Sequence, residues 1–340
     1  MKKQRRALVT GGAGFIGAHL SRQLLKRGWH VTIIDDFSTG RQSNIHDLER
    51  HPRFQLAIGS ITNETVMDRL VSECDMCFHL AAAVGVQLIV HDAVRTIETN
   101  IAGTEAVLRI ASRYRKKVLI ASTSEVYGKS DHEQFSEDDD MILGPTSKSR
   151  WSYACSKAID EFLALAHHKQ NHLPVVIVRL FNTVGPRQTG TYGMVVPRFV
   201  RQALLNEPIT VYGDGQQSRC FGYVEDVVRG VIALSEEPRA VGQVFNLGST
   251  SEITIEKLAR RVISLARSKS KLVFVPYDKA YESGFEDMRR RVPNISKARK
   301  LVGYRPTVGL DEIIRLVAAD IRKELAAERH SRDFARRRPR

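Results

Sequence analysis

The segment LVTGGAGFIGAHL, residues 8–20, constrains this chain more than any other, because it sets three glycines between an apolar strand pattern and an amphipathic helix pattern. A second apolar run, VTIID, comes next and ends at Asp35 and Asp36. Strand, glycine turn, helix and strand in that order predict a βαβ unit with a dinucleotide site. Gly11 permits the tight turn, Gly14 lets a pyrophosphate approach the backbone, and Gly17 allows close helix–strand packing. The helix N-terminus then offers amide donors to phosphate oxygens. Asp35, at the strand end, can accept bonds from both ribose hydroxyls of an adenosine and would repel a 2′-phosphate, which favours NAD over NADP. Arg41 stands close enough in sequence to soften that preference.

Short apolar runs recur near residues 6–10, 30–34, 54–58, 75–80, 117–122, 175–180 and 244–247. Helix-period stretches separate them at about 15–28, 63–72, 93–114 and 152–170. This alternation predicts an α/β fold, a Rossmann-type doubly wound parallel sheet. After Phe181 the elements shorten and Gly and Pro become frequent, with helices near 195–205, 254–268 and 310–325, which predicts a smaller C-terminal substrate-binding lobe. The boundaries expected are 1–180 for the dinucleotide domain, with a return at about 221–248. Residues 181–220 and 249–328 form the lobe, and 329–340 a disordered basic tail.

The formal charge of +14 raises the question of a nucleic-acid partner, so its location matters. MKKQRR at the N-terminus carries +4, and residues 329–340 carry six arginines against Asp333, which leaves +5 in the body. Charge gathered at the ends reads as solvated tails, and no specific nucleic acid is expected. No apolar run approaches the roughly 20 residues of a bilayer span, so a cytoplasmic protein with no membrane partner is expected. Cys74 and Cys77 form a CxxC inside an apolar strand pattern, with no second pair to complete a zinc site. With Cys155 and Cys220 they read as buried thiols. The acidic EDDD at 137–140, between Gly128 and Gly144, reads as a solvated loop, and no metal is expected.

Tyr153 and Lys157 occur in YACSK, four residues apart on a predicted helix, so both project from one face. A nearby ammonium stabilises a phenolate, which lets a tyrosine act as a base toward a sugar hydroxyl while hydride leaves for a nicotinamide. STSEVYG, residues 122–128, comes directly after the strand KKVLIA and supplies Thr123 and Ser124 at its carboxyl end, where open parallel sheets bind ligands.

Taken together, TGGAGFIG, FHLAA, Asn100 before AGT, STSEVYG, YACSK and RLFNTVGPRQ resemble the extended short-chain dehydrogenase/reductase family. The resemblance spans about residues 6–325 and is specific to the NAD-dependent nucleotide-sugar epimerases, dehydratases and decarboxylases. It implies an enzyme that binds NAD through Gly11, Gly14, Phe15, Ile16, Gly17, Asp35, Ser60, Ile61, Leu80, Ala81, Ala82, Asn100, Tyr153 and Lys157. Ser60 departs from the family, which usually has Asp toward the adenine. By the same resemblance Thr123 shares the sugar O4 proton with Tyr153, and Lys157 holds the nicotinamide ribose. Asn182 contacts the diphosphate of a UDP-sugar, Arg219 pairs with its phosphate charge, and Tyr212 packs against the base. The helices at 93–114 and 152–170 resemble those of a four-helix homodimer interface.

All these relatives first oxidise C4 of the sugar, and the residues beside Thr123 discriminate between the later steps. Ser124 stands where the 4,6-dehydratases carry Asp, which disfavours dehydration. Ser124 with Glu125, Arg291 two residues before Pro293, and Arg150 with Trp151 before the catalytic helix resemble UDP-glucuronate decarboxylases. Once C4 is a ketone, the C6 carboxylate belongs to a β-keto acid, and CO₂ can leave with its electrons delocalised into the ketone. Arg291 would orient that carboxylate and Glu125 would manage protonation at C5, giving UDP-xylose or its 4-keto precursor. The alternative is a 4-epimerase of UDP-glucuronate or UDP-glucose, with Arg187 as the carboxylate anchor. A third reading is a nucleotide-binding protein without chemistry, against which the intact Thr123, Tyr153 and Lys157 argue.

Overall fold

The computed structural model describes residues 4–84, 92–190, 194–280 and 288–336, without the side chains of 278, 280 and 330–336. Its seven apolar runs pair into one parallel sheet. The strands are β1 (Arg6–Thr10), β2 (His30–Asp35), β3 (Phe54–Ile58), β4 (Met76–His79), β5 (Lys117–Thr123), β6 (Val175–Leu180) and β7 (Gln243–Leu247). Their spatial order is β3-β2-β1-β4-β5-β6-β7. The register sets Val9 against Ile33 of β2 and Phe78 of β4. The helices are α1 (Phe15–Lys26), α2 (Glu64–Glu73), α3 (Ala93–Tyr114), α4 (Ser152–Asn171), α5 (Val195–Leu205), α6 (Val224–Glu236), α7 (Ile255–Ala266), α8 (Ser296–Val302) and α9 (Leu310–Arg336).

Both sheet faces are covered, which is why the strands are apolar on alternate and intervening positions alike. On one face Leu8, Cys77, Val118 and Ile120 pack with Met67 and Leu70 of α2, Val107 and Ile110 of α3 and Ala164 of α4. On the other, Val9, Ile33 and Phe78 pack with Leu20 and Leu24 of α1 and Val227 and Val231 of α6. A separate core joins Phe199 and Val200 of α5, Leu258 and Val262 of α7 and Ile314 and Val317 of α9 around a short parallel pair, 209–212 with 272–275.

Three features differ from the sequence reading. Helix α6 was not anticipated; its Gly230 is there because a Cβ would lie 2.8 Å from the Tyr304 ring. Helix α9 continues to Arg336 rather than ending near 325, so residues 329–336 of the expected basic tail are helical, and 337–340 lie outside the described residues. Cys155 is exposed on α4, whereas Cys74, Cys77 and Cys220 are buried, and all four are free thiols. No helix among the described residues is long and apolar enough to cross a membrane.

The sheet places the site. The chain leaves β1 for β2 on one side, and β4 lies on the other, so a crevice opens at the strands' carboxyl ends where the winding reverses.

Candidate active site

A cavity of about 370 Å³ occupies this crevice. Its floor is the β1–α1 turn, in which Gly11 has φ +67, and a Cβ on Gly11 would lie 2.9 Å from the Ala81 backbone. A Cβ on Gly17 would lie 2.3 Å from the Gly11 carbonyl oxygen, so α1 can start this close to the strand only with glycine there. Gly14 caps α1 with no side-chain hydrogen bond, leaving first-turn amides toward the cavity that Gly14, Phe15, Ile16 and Gly17 line. Along the same wall stand Ser60, Ile61, Leu80, Ala81 and Ala82. This cradle, with positive helix-end dipoles and no side chain in the way, fits a dinucleotide pyrophosphate.

Asp35 lines the cavity, but its carboxylate also fastens the turn. Oδ2 accepts from Ala13 N and Oδ1 from Phe37 N, each at 2.9 Å. An ionised carboxylate has about four acceptor sites, so ribose hydroxyls would share it with the backbone. Burial pushes this carboxyl upward, and the two backbone donors oppose that. Asn100 is not in the cavity wall: it lies behind it, its Oδ1 accepting from Ala83 N at 2.8 Å and its Nδ2 donating to Ser156 Oγ at 3.1 Å. It shapes the wall.

At the end of β5, Thr123 caps a short turn, Ser124–Tyr127, by accepting from Glu125 N at 3.2 Å. The turn directs Thr123, Ser124 and Glu125 into the cavity, opposite Tyr153 on the first turn of α4 and beside Asn182 and Arg291. The Thr123 hydroxyl is hydrogen-bonded to the Tyr153 phenol. Burial, together with the charges of Glu125 and Asp160, pushes that phenol above its ordinary range. Helix α4 is fixed to the sheet by a buried pair, in which Arg179 on β6 donates from Nη2 to Glu161 Oε2 at 2.8 Å and from Nε to Oε1 at 3.0 Å. Ser122 donates to the same carboxylate.

Glu125 is gripped by two arginines. Arg150 donates to Oε2 and Arg291 Nη1 donates to Oε1 at 3.2 Å. Burial alone would raise this carboxyl, but the two guanidinium groups outweigh it and hold it at about 2. Glu125 is therefore held as an anion at neutral pH, so the role expected of it in managing protonation at C5 would be that of an acceptor. Arg150 is almost wholly buried and lies over the Trp151 ring. Arg291 and Glu125 line the cavity and Arg150 does not, so Arg291 is the guanidinium of the trio that a ligand can reach.

Other expected residues lie elsewhere. Lys157 is buried behind the cavity wall and paired with Asp160 at 2.7 Å. Arg187, offered as an anchor for an epimerase substrate, instead donates to Asn44 O at 2.8 Å and pairs with Asp47 at 3.0 Å. Tyr212 lies under the Arg198 guanidinium, 4.1 Å from it, and Arg219 is buried with Nη1 on Ser218 O; neither lines this cavity. Sequence reasoning missed Arg95 and Gln188, which do line it. Gln188 donates to Thr183 O at 3.0 Å, and its Oε1 is buried without a partner among the described residues. Its place directly after Arg187 in RLFNTVGPRQ was the only signal. Among the described residues no cluster of His, Cys, Asp and Glu is arranged for a metal.

The sequence model of the family described as GDP-mannose 4,6 dehydratase matches residues 8–317. The chain is 45% identical over 317 residues to the UDP-N-acetyl-alpha-D-glucosaminuronate decarboxylase of Bacillus cytotoxicus, covering 92% of this chain and 97% of that one. It is 36% identical over 338 residues to UDP-glucuronic acid decarboxylase 1 of Xenopus tropicalis, covering 99% and 77% respectively. Among solved structures, the UDP-glucuronic acid 4-epimerase of Bacillus cereus, in complex with UDP-glucuronic acid and NAD, superposes with a TM-score of 0.85. That pair is 32% identical, with 94% of this chain and 99% of the epimerase covered.

Proposed function

The chain belongs to the GDP-mannose 4,6-dehydratase family of extended short-chain dehydrogenase/reductases, and from that premise we propose that it decarboxylates a UDP-linked uronate with NAD as cofactor. The observation that carries this reading is the charge balance at the cavity end. Glu125, Arg150 and Arg291 together hold one carboxylate against two guanidinium groups. The excess positive charge sits in a buried site, where it is costly unless an anion completes it. A C6 carboxylate is such an anion, and the bidentate fork of Arg291 matches its shape. UDP-glucose offers a neutral hydroxymethyl there.

When bound, NAD accepts and later returns the C4 hydride. Tyr153 takes the O4 proton, and Thr123 shares it through its hydrogen bond to the phenol. Arg291 turns from Glu125 toward the C6 carboxylate, while Arg150 keeps Glu125 neutralised. The C5–C6 bond then breaks and CO₂ leaves, the bonding electrons pass into the C4 carbonyl as an enolate, and C5 takes a proton from water. Asn182 and Ser124, which line the cavity, would meet the diphosphate and the sugar. Arg187, the anchor expected for an epimerase, pairs with Asp47; a uronate held by Arg291 would serve a UDP-glucuronate 4-epimerase as well, so release of CO₂ decides between the two reactions.

Purified protein given NAD and either UDP-glucuronate or UDP-N-acetylglucosaminuronate is expected to release one CO₂ for each sugar nucleotide consumed. The two relatives differ in their C2 substituent by name, so the faster of the two assigns it. Consumption of either uronate without CO₂ would overturn the reading.

We also propose a homodimer through α3 and α4. Val94 and Ile97 on α3 and Ile159 and Phe162 on α4 are exposed apolar residues of adjacent helices, with Phe162 64% exposed. That area is unfavourable to leave in water. Phe162→Glu is expected to convert the dimer to a monomer by sedimentation. Four free thiols are consistent with the reducing cytoplasm, where we place the protein.

A further inference from the structure

Tyr153, Lys157 and Asp160 stand at i, i+4 and i+7 of α4 and so form one stripe beneath the cavity. Lys157 Nζ donates to Asp160 Oδ2 at 2.7 Å, with the two side chains 2% and 0% exposed. Asp160 Oδ1 is buried without a hydrogen-bond partner among the described residues. Thr104 also favours the ionised carboxylate, yet one oxygen stays without a well-formed hydrogen bond, which is costly unless the pair does more than neutralise a lysine. We propose that Asp160 is a positioning residue that holds the Lys157 ammonium in place and weakens its pull on the Tyr153 phenol.

The physical ground is electrostatic. A lone ammonium near a phenol favours the phenolate, but an ammonium paired at 2.7 Å with a carboxylate acts as a dipole, whose field falls off faster than that of a charge. Asp160 thus adds to burial and to the charge of Glu125 in keeping Tyr153 protonated until something draws the ammonium away. In the proposed reaction the nicotinamide ribose is the group that would do so, so the inference deepens that reading and rests on Tyr153 being its base.

The other groups facing the stripe can be named. Glu125 raises the phenol's affinity for its proton, whereas Thr123 and Arg150 lower it. Thr104 on α3 favours the ionised form of Asp160, and Glu161 opposes it. His79 on β4, held between Thr10 and Thr104, is neutral at pH 7, because burial and Lys157 lower it to about 3. Of the carboxylates in this set, Asp160 alone touches the catalytic lysine.

Asp160→Asn keeps the shape and removes the charge. The acidic limb of kcat/KM against pH for the uronate is expected to move down by about one unit or more. In protein without cofactor, the ultraviolet phenolate absorbance that Tyr153→Phe abolishes is expected to emerge at correspondingly lower pH. A folded variant with both titrations unchanged overturns the proposal, even if its rate falls equally at every pH, as loss of a merely structural pair would cause. Should Asp160→Asn fail to fold, Thr104→Val, which disfavours the ionised carboxylate, is expected to shift both titrations the same way by less. No shift there overturns it too. The phenolate titration needs no substrate, so it stands apart from failure of the wild-type protein to turn over a uronate.

Discussion

Tyr153→Phe is expected to slow turnover of a UDP-uronate by about a hundredfold to ten-thousandfold, the range for loss of a positioned general base. The substitution removes one oxygen and keeps the ring. Tyr153 is only 7% exposed, and the substitution keeps the buried ring while the Glu161–Arg179 pair still fixes α4 to the sheet. Affinity for NAD and thermal stability are therefore expected to change little. A rate within threefold or so of wild type would remove Tyr153 from the chemistry, given that a genuine base contributes at least about a hundredfold. Parallel titrations of NAD binding by fluorescence and of unfolding by urea separate this outcome from damage to the fold.

Glu125→Ala is expected to do two things at once. It leaves the Arg150 and Arg291 guanidinium groups facing one another without their shared carboxylate, in a region where Arg150 is 3% exposed. Breaking a buried pair by removing one partner costs roughly 3–5 kcal/mol, which urea unfolding would report at neutral pH. The linkage has a definite sign. The carboxyl sits at about 2 when folded against an ordinary value of 4.5, so its contribution is complete above pH 4.5 and is lost as pH falls toward 2. In catalysis the same variant should lose CO₂ release more than C4 oxidation, because Glu125 touches Arg291 directly and reaches Tyr153 only through its charge, whose removal eases ionisation of the phenol. Equal losses in NAD reduction and in CO₂ would count against that division of labour.

The sheet was legible because parallel strands buried on both faces are written as continuous apolar runs. Val175–Leu180 and Lys117–Thr123 could be read almost to the residue. Helix α6 was not, since Gly230 reads as a break until Tyr304 is seen packed against it from far along the chain. The last turns of α9 were missed for the opposite reason: residues 329–336 are mostly charged or polar, with Phe334 and Ala335 alone apolar, and show no apolar period.

At the site, local motifs named several residues that line one cavity. Gly11, Gly14, Thr123, Ser124, Glu125 and Tyr153 all face the cavity. What sequence could not carry was partnership. Glu125 meets Arg150 and Arg291 across 25 and 166 positions of chain, and only folding shows that it is pinned as an anion. Lys157 and Asp160 are three residues apart, yet on a solvated helix such a pair would mean little; burial of both gives it weight. Arg187 was offered as the carboxylate anchor of an epimerase, but its side chain pairs with Asp47, and the residue itself has a positive φ of 71.

If C6 of a uronate leaves as CO₂ from this cavity, an isotope placed at C6 must leave with it. Supplying UDP-glucuronate or UDP-N-acetylglucosaminuronate labelled with carbon-13 at C6, and tracking the label by NMR, tests this directly. The expected result is transfer of the label to bicarbonate as an unlabelled UDP-pentose, or its 4-keto form, appears. Label retained in a UDP-hexuronate with inverted C4 would contradict decarboxylation and make the protein an epimerase.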